Sequence, residues 1–406
     1  MSHPVRTAAE ALGPWLSEIR RKIHMNPELG FHEHETSRLV SEALEGWGVE
    51  VKNGLAQTGV IGLLKTGRPG PTIGIRADMD ALPVQEKNDV PYKSRSDGKM
   101  HACGHDAHTA MLLGAARVLS EDPSLLEGVG GNVKFIFQPA EEGLAGGRTI
   151  VEEGALDNPR VDLIIAGHVF PVLPVGTIGT HTGPMTASGD KLFITYRGKS
   201  SHAAYPHNSR DPMLAAGHLI TALQGIVGRN VNPFDAAVVS ITQIEAGVAL
   251  NVIPEEVHLR GTIRTIRPDV REMVKSRVEE TARGVASAFG VEAEIEILAG
   301  YPSLSNHAGA TALIEKAGRE VLGNENVLPA PLGMGSEDFA FMAEKCPGAM
   351  FRLGIRNEER GIVQGLHSNR FDVDEDALPL GVSVFVQAVR EYLADPQAYE
   401  NDAPAR

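Results

Sequence analysis

Apolar positions recur at helical spacing over residues 15–24, and again over 35–47, where Leu39, Val40, Ala43, Leu44 and Trp47 form one stripe. Met25-Asn26-Pro27-Glu28-Leu29-Gly30 breaks the first helix, and Gly48 stops the second. Short apolar runs at 60–64 and 72–75 read as strands. Residues 107–119 read as a helix, 132–138 as a strand with Val133, Phe135 and Phe137 alternating, and 161–166 as a buried strand. Strands alternating with helices predict an α/β domain with a mostly parallel central sheet.

The texture changes near residue 186. Strand-like segments follow at 191–197, 236–245, 257–265 and 291–298, with helices at 211–227 and 269–289. This βαββαβ order predicts an inserted α+β domain of ferredoxin-like type. The α/β pattern then resumes with a helix at 308–322, a tight turn at 333–339 leading into a helix, a strand at 350–353 and a helix at 377–393 expected to pack on the sheet. The glycines of the turn lack the Gly-Lys-Ser/Thr of a phosphate loop. The tail beyond Asp395 is polar and expected to fray. The expected division is 1–185, 186–301 as the insert, and 302–406, which suits the length of 406 residues.

Charge and cysteines narrow the class. The formal net charge of −14 is spread without a basic stripe, which argues against a nucleic-acid partner. No apolar run reaches the roughly 20 residues needed to span a bilayer. The first ten residues lack the apolar core of a signal peptide. Two cysteines, Cys103 and Cys346, cannot build a disulfide framework. These features lead us to expect a cytoplasmic protein.

The densest chemistry lies in residues 100–109. His101, Cys103, His105, Asp106 and His108 are all potential ligands, and thiolate with imidazole suits zinc and other first-row divalent metals. If this stretch is extended, Cys103 and His105 point the same way and reach one metal centre. The helix that follows favours a thiolate at its N-terminus. A polar loop of surface histidines is the alternative. Against it stand polar groups at the carboxyl ends of predicted strands, where α/β sheets gather ligands. Asp78 ends the 72–75 run and suits a carboxylate that orients a ligating histidine. Glu141 and Glu142 follow 132–138; one can bind metal while the other moves a proton. His168 follows 161–166, and His367 sits in a late loop. In the insert, His202 lies in Gly198-Lys199-Ser200-Ser201-His202-Ala203, either reaching over a crevice or exposed on a hairpin.

Cys103, His105, Glu142, His168 and His367 exceed the three protein ligands usual for one catalytic zinc. They suit two metals, about 3.5–4 Å apart in sites of this kind. Such a pair activates water and polarises a carbonyl, with Glu141 as general base, and the expected reaction is hydrolysis of an amide or similar acyl bond. There is no Gly-x-Ser-x-Gly elbow. A Cys103 nucleophile is disfavoured because metal would hold its sulfur.

These residues carry a resemblance. The chain resembles the dimetal amidohydrolases grouped with hippurate hydrolase, N-acyl-amino-acid amidohydrolases and plant indole-acetyl-amino-acid hydrolases. The likeness runs through Asn26-Pro27-Glu28-Leu29, Arg76-Ala77-Asp78-Met79-Asp80, Met100-His101-Ala102-Cys103-Gly104-His105-Asp106, Gln138-Pro139-Ala140-Glu141-Glu142 and Gly167-His168-Val169-Phe170-Pro171. It continues through Gly198-Lys199-Ser200-Ser201-His202-Ala203, Asn251-Val252-Ile253-Pro254, Gly335-Ser336-Glu337-Asp338-Phe339 and Leu366-His367-Ser368.

The resemblance implies an aminopeptidase-like catalytic domain with an inserted lid and dimerisation domain. It implies two divalent ions (Mn, Zn, Co or Ni) on Cys103, His105, Glu142, His168 and His367. Glu141 is then the general base and Asp78 a supporting carboxylate. His202 stabilises the oxyanion, in many relatives from the lid of a partner subunit, and Asn251 and Arg264 bind the substrate carboxylate. The implied assembly is a homodimer or higher homo-oligomer, and the implied substrate an N-acyl-L-amino acid. Arg76 and Cys103 stand where the wider dimetal peptidases usually have His and a bridging Asp. Alternatives with the same machinery are a dipeptidase or carboxypeptidase and an N-acetyl-diaminopimelate deacetylase. A non-catalytic metal-binding scaffold is the alternative from another class.

Overall fold

Every residue of the strand Thr72–Asp78 is buried, as are all but the first of Asn132–Gln138 and all but the last of Gly348–Arg356. Strands covered on both faces read this way. The computed structural model describes residues 3–399 and places these three at the heart of one sheet. Its strand order is Glu50–Leu55, Gly59–Lys65, Asn132–Gln138, Thr72–Asp78, Leu163–Pro174, Gly348–Arg356, Ile178–Thr180 and Val327–Pro329. The central pairings, from Asn132–Gln138 across to Gly348–Arg356, are all parallel. Antiparallel strands extend one flank. The fold is thus α/β with a mostly parallel core, as the alternation of strands and helices predicts.

The chain forms two compact units. Among the described residues, one holds 3–185, 305–331 and 338–399; the other holds 186–304 together with 332–337. In the first, Ile73, Ile75, Phe135 and Phe137 of the sheet share a core with Leu112, Phe351 and Phe385. Burial of each such side chain is worth about 1.5–3 kcal/mol. The helices His105–Glu121 and Leu378–Ala394 are buried on nearly all sides. The second of these packs against helices His105–Glu121, Ala308–Leu322 and Pro4–Ala11 more than against the sheet, which explains why its sequence is apolar nearly all round.

The second unit has the βαββαβ order read from the sequence. Its sheet runs Ala237–Ala246, Glu256–Thr265, Ser188–Arg197 and Glu292–Tyr301, antiparallel throughout. Helices Pro212–Asn230 and Pro268–Phe289 supply Leu219, Leu223, Val274 and Val278 to its core. Val270, Val274, Val278, Ala282 and Ala286 fall four apart, one stripe along the longer helix. Among the described residues, no helix is long and apolar enough to cross a membrane.

Three local expectations change. Residues 101–104 are irregular, with a bend at Cys103, rather than a strand, and the helix begins at His105. The strand expected to end at 166 continues to Pro174, so His168 lies within it, opposite Arg352. The tail past Asp395 makes a 3-10 turn over Pro396–Tyr399, and its last residues lie outside those described.

Candidate metal centre

Gly104 shapes the centre first. Its φ of +86° is the left-handed conformation that side chains resist, and a Cβ there would sit 2.3 Å from Val169 Cγ2. This turn, rather than strand alternation, carries Cys103 into the site just before His105 opens its helix. Cys103, His105 and His168 bring one donor atom each within 4.8 Å of one another. Cys103, Glu142 and His367 form a second such trio, and His105, Glu141 and Glu142 a third. Cys103 therefore belongs to two trios, with its Sγ 3.5 Å from His168 Nε2. His367 Nε2 lies 3.3 Å from Glu142 Oε1. His367 sits at φ +64° in its loop, its N–H bonded to the carbonyl of Ala102 at 2.7 Å.

Hydrogen bonds fix how the donors face. A carboxylate only accepts, so the 3.2 Å contact of His105 Nδ1 with Asp80 Oδ1 puts hydrogen on Nδ1. His105 Nε2 is buried and makes no hydrogen bond. A buried imidazole nitrogen left in this state beside a thiol and a second imidazole fits a metal ligand. His168 Nδ1 donates to its neighbour Val169 C=O at 2.7 Å, which turns Nε2 toward Cys103. Donors of S, N and O type on five side chains suit divalent first-row metals.

Asp78, fully buried, ends its strand beneath this cluster. Arg76 Nη1 donates to it at 2.7 Å, and His108 Nδ1 meets it at 2.6 Å. Arg76 also reaches Gln138 at 2.9 Å and Asp338 at 2.9 Å, while Asp338 accepts the N–H of Gly147 at 2.7 Å. The Gly335–Phe339 motif of the sequence thus contributes a buried carboxylate that braces the Arg76 side of the site. Asp78 is buried and hydrogen-bonded, not the solvent-exposed turn residue that its local sequence permits.

Burial and neighbouring charges shift the protonation of these groups in opposing directions. Burial opposes ionisation of Asp78, but His105, Arg76 and His108 overcome it and hold the carboxyl well below its usual range. Burial also opposes charge on His105, but Asp78 and Asp80 lift it well above the usual imidazole value. Burial, then His108, pushes His168 far down. Burial pushes the Cys103 thiol up, so the helix end alone does not make it a thiolate. Cys103 and Glu142 draw His367 up to about 10. Acceptors that pull protons onto imidazoles here are the groups a divalent ion would satisfy instead.

Sequence reasoning missed Asp80, which accepts the N–H groups of Glu141 at 3.0 Å and Glu142 at 2.9 Å besides His105. Its only signal was its place two residues beyond Asp78. It also missed Arg20 and His24, buried on the helix Gly13–His24 and bonded to Asp106 Oδ2 at 2.7 Å each. His202, Asn251 and Arg264 lie in the second unit. There His202 is exposed and pairs with Val252, and Asn251 C=O accepts the N–H of Ala203 at 2.9 Å. Arg264, half-buried, donates to Ser336 Oγ at 2.7 Å.

Known proteins share this architecture. N-acetylcysteine deacetylase of Bacillus subtilis is 41% identical over 382 residues, 94% of this chain and 97% of the relative. IAA-amino acid hydrolase ILR1-like 5 of Arabidopsis thaliana is 40% identical over 391 residues, covering 95% and 88%. A solved Bacillus subtilis structure, described as a dinuclear metal-binding peptidase from the M20 family, superposes with a TM-score of 0.82 at 36% identity, over 95% of this chain and 99% of that one. The family model of peptidase family M20/M25/M40 matches residues 74–391; the chain belongs to that family and is a metal-dependent amidohydrolase or peptidase.

Proposed function

We propose that this protein hydrolyses the amide bond of N-acyl-L-amino acids, hippurate-type or N-acetylated, to a carboxylic acid and an amino acid. The observation that carries this reading is Cys103, shared between two donor trios with Glu141 beside them. In this reading Cys103, His105, Glu142, His168 and His367 hold two divalent ions drawn from manganese, zinc, cobalt or nickel. Such ions supply a water of lowered pKa and a polarised carbonyl. Glu141 takes the proton of the attacking water and hands it to the departing nitrogen. Asp78 holds His108, which in turn holds the strand that carries His168. His202 steadies the developing oxyanion, and Asn251 and Arg264 receive the substrate carboxylate, where a guanidinium forks onto two oxygens.

The names of two relatives support the substrate class: one is a deacetylase of N-acetylcysteine, the other a hydrolase of IAA-amino acids. We further propose that residues 186–301 act as a lid and dimerisation domain, and that the protein is a cytoplasmic homodimer or higher oligomer. The test is hydrolysis of hippurate, N-acetyl amino acids and dipeptides by chelated protein, before and after adding Mn, Zn, Co or Ni. Activity restored on acyl-amino acids supports the reading. Preference for dipeptides over every acyl-amino acid replaces it with a dipeptidase. Silence on all substrates by protein that binds two ions points to an untested acyl group first and to a scaffold only after that.

A further inference from the structure

Asp80 is 2% exposed and lies just past the strand Thr72–Asp78. Its Oδ1 accepts from His105 Nδ1 at 3.2 Å and from the Glu141 amide at 3.0 Å; its Oδ2 accepts from the Glu142 amide at 2.9 Å. One carboxylate thus touches a helix residue and a turn that lie more than thirty positions apart in the chain. The turn needs holding. Ala140 and Ala145, which bracket it, sit at φ +57° and +60°, and Glu142 departs from helical geometry with ψ 76°. Backbone of this kind persists only where its surroundings over-determine it. Glu33 Oε1 grips the Ala140 amide at 2.8 Å, and Asp80 grips the next two.

We propose that Asp80 is the positioning residue that sets the His105 ring and the Glu141–Glu142 turn together. It keeps hydrogen on Nδ1 of His105, so Nε2 faces the donor cluster with its lone pair. It also holds the backbone from which both glutamates project. This rests on the reading of His105 and Glu142 as ligands and Glu141 as base. An Asp80→Asn side chain has nearly the same shape but one acceptor oxygen. Whichever way its amide lies, an NH2 group confronts an N–H. Facing Glu142, it breaks the turn. Facing His105 and Glu141, it drives the ring hydrogen to Nε2, where it blocks a ligand position.

Hydrogen exchange by mass spectrometry on chelated protein tests this without substrate. We expect the Glu141 and Glu142 amides to be slow in the unaltered protein and fast in Asp80→Asn, with the second unit unchanged. Zinc affinity of the chelated variant should weaken about 10–100-fold. kcat on the best acyl-amino acid should fall about 10²-fold with KM nearly constant, since the displaced groups act on reacting atoms. Wild-type protection, or lost protection with wild-type zinc affinity and kcat, overturns the proposal. If the variant does not fold, exchange in the unaltered protein decides: unprotected Glu141 and Glu142 amides overturn it, and protected ones support it. If no acyl-amino acid is cleaved but exchange and zinc affinity both change, the positioning role stands and only the substrate reading falls.

Discussion

His108 Nε2 accepts the backbone N–H of Val169 at 2.9 Å, while its Nδ1 meets Asp78 Oδ1 at 2.6 Å. An N–H arriving at Nε2 leaves the ring hydrogen on Nδ1, so both nitrogens are engaged. His108 is thus a brace between Asp78 and the strand that carries His168, although its sequence position marks it as a ligand candidate. His108→Phe keeps a planar ring and removes both bonds. Zinc affinity of the chelated protein should fall about 10–100-fold with the circular dichroism spectrum unchanged. Wild-type affinity would mean that Asp78 and His168 hold their places without it.

Glu141→Gln should keep two bound ions and lose turnover. General-base catalysis contributes about 10²–10⁴-fold, and here the base also generates the nucleophile. Metal analysis beside kcat makes the check: full activity would remove Glu141 from its role, and lost metal would make it a ligand.

Gly104→Ala should destabilise by more than the roughly 1–2 kcal/mol that left-handed backbone costs a side chain, because the new methyl also overlaps Val169. Moving Val169 disturbs both His108 and His168, so zinc affinity should fall as well. Gly46→Ala, with nothing near its would-be Cβ, is the control and should be neutral or slightly stabilising. Urea unfolding of both variants tests the contrast.

The helix Gly13–His24 carries a pH-dependent share of stability. His24 is buried and faces Arg20 on its own helix, Asp106, Glu86, Tyr92 and His101. Burial and Arg20 oppose its charge, but Asp106 and Glu86 prevail and raise its affinity for a proton. A group with a raised folded-state pKa stabilises fully below its unfolded value, about 6.5, and loses that contribution as pH climbs through the folded value. The stability gap between wild type and His24→Gln should therefore be widest below about pH 6.5 and narrow above it. A gap that widens with pH would show that the neutral ring is the stabilising form.

The sequence makes regular elements legible where apolar periodicity decides them. The strand Asn132–Gln138 and the helix Ala308–Leu322 stand where the pattern puts them. Glu50–Leu55 escapes because it is an edge strand with mostly exposed residues, so nothing in its sequence must alternate. The ligand candidates are legible because Cys103 and His105 crowd with other histidines into one short stretch and Glu142 follows a buried strand. Their braces are not. Arg20 and His24 look like the polar face of an amphipathic helix until Asp106, more than eighty residues on, is folded against them. Asp80 looks like a second turn aspartate until the chain returns with Glu141 and Glu142. Such roles are set by partners distant in sequence, which local patterns do not encode.

The second unit owns residues 332–337 as well as 186–304. The carbonyl of Gly335 accepts the N–H of Ala187, and Ser336 receives Arg264. A fragment cut at 186 and 304 would therefore leave behind the short piece that accepts the Ala187 N–H and occupies its arginine. The module is not a cassette that one pair of cuts can lift out; transplanting it onto another scaffold takes two segments.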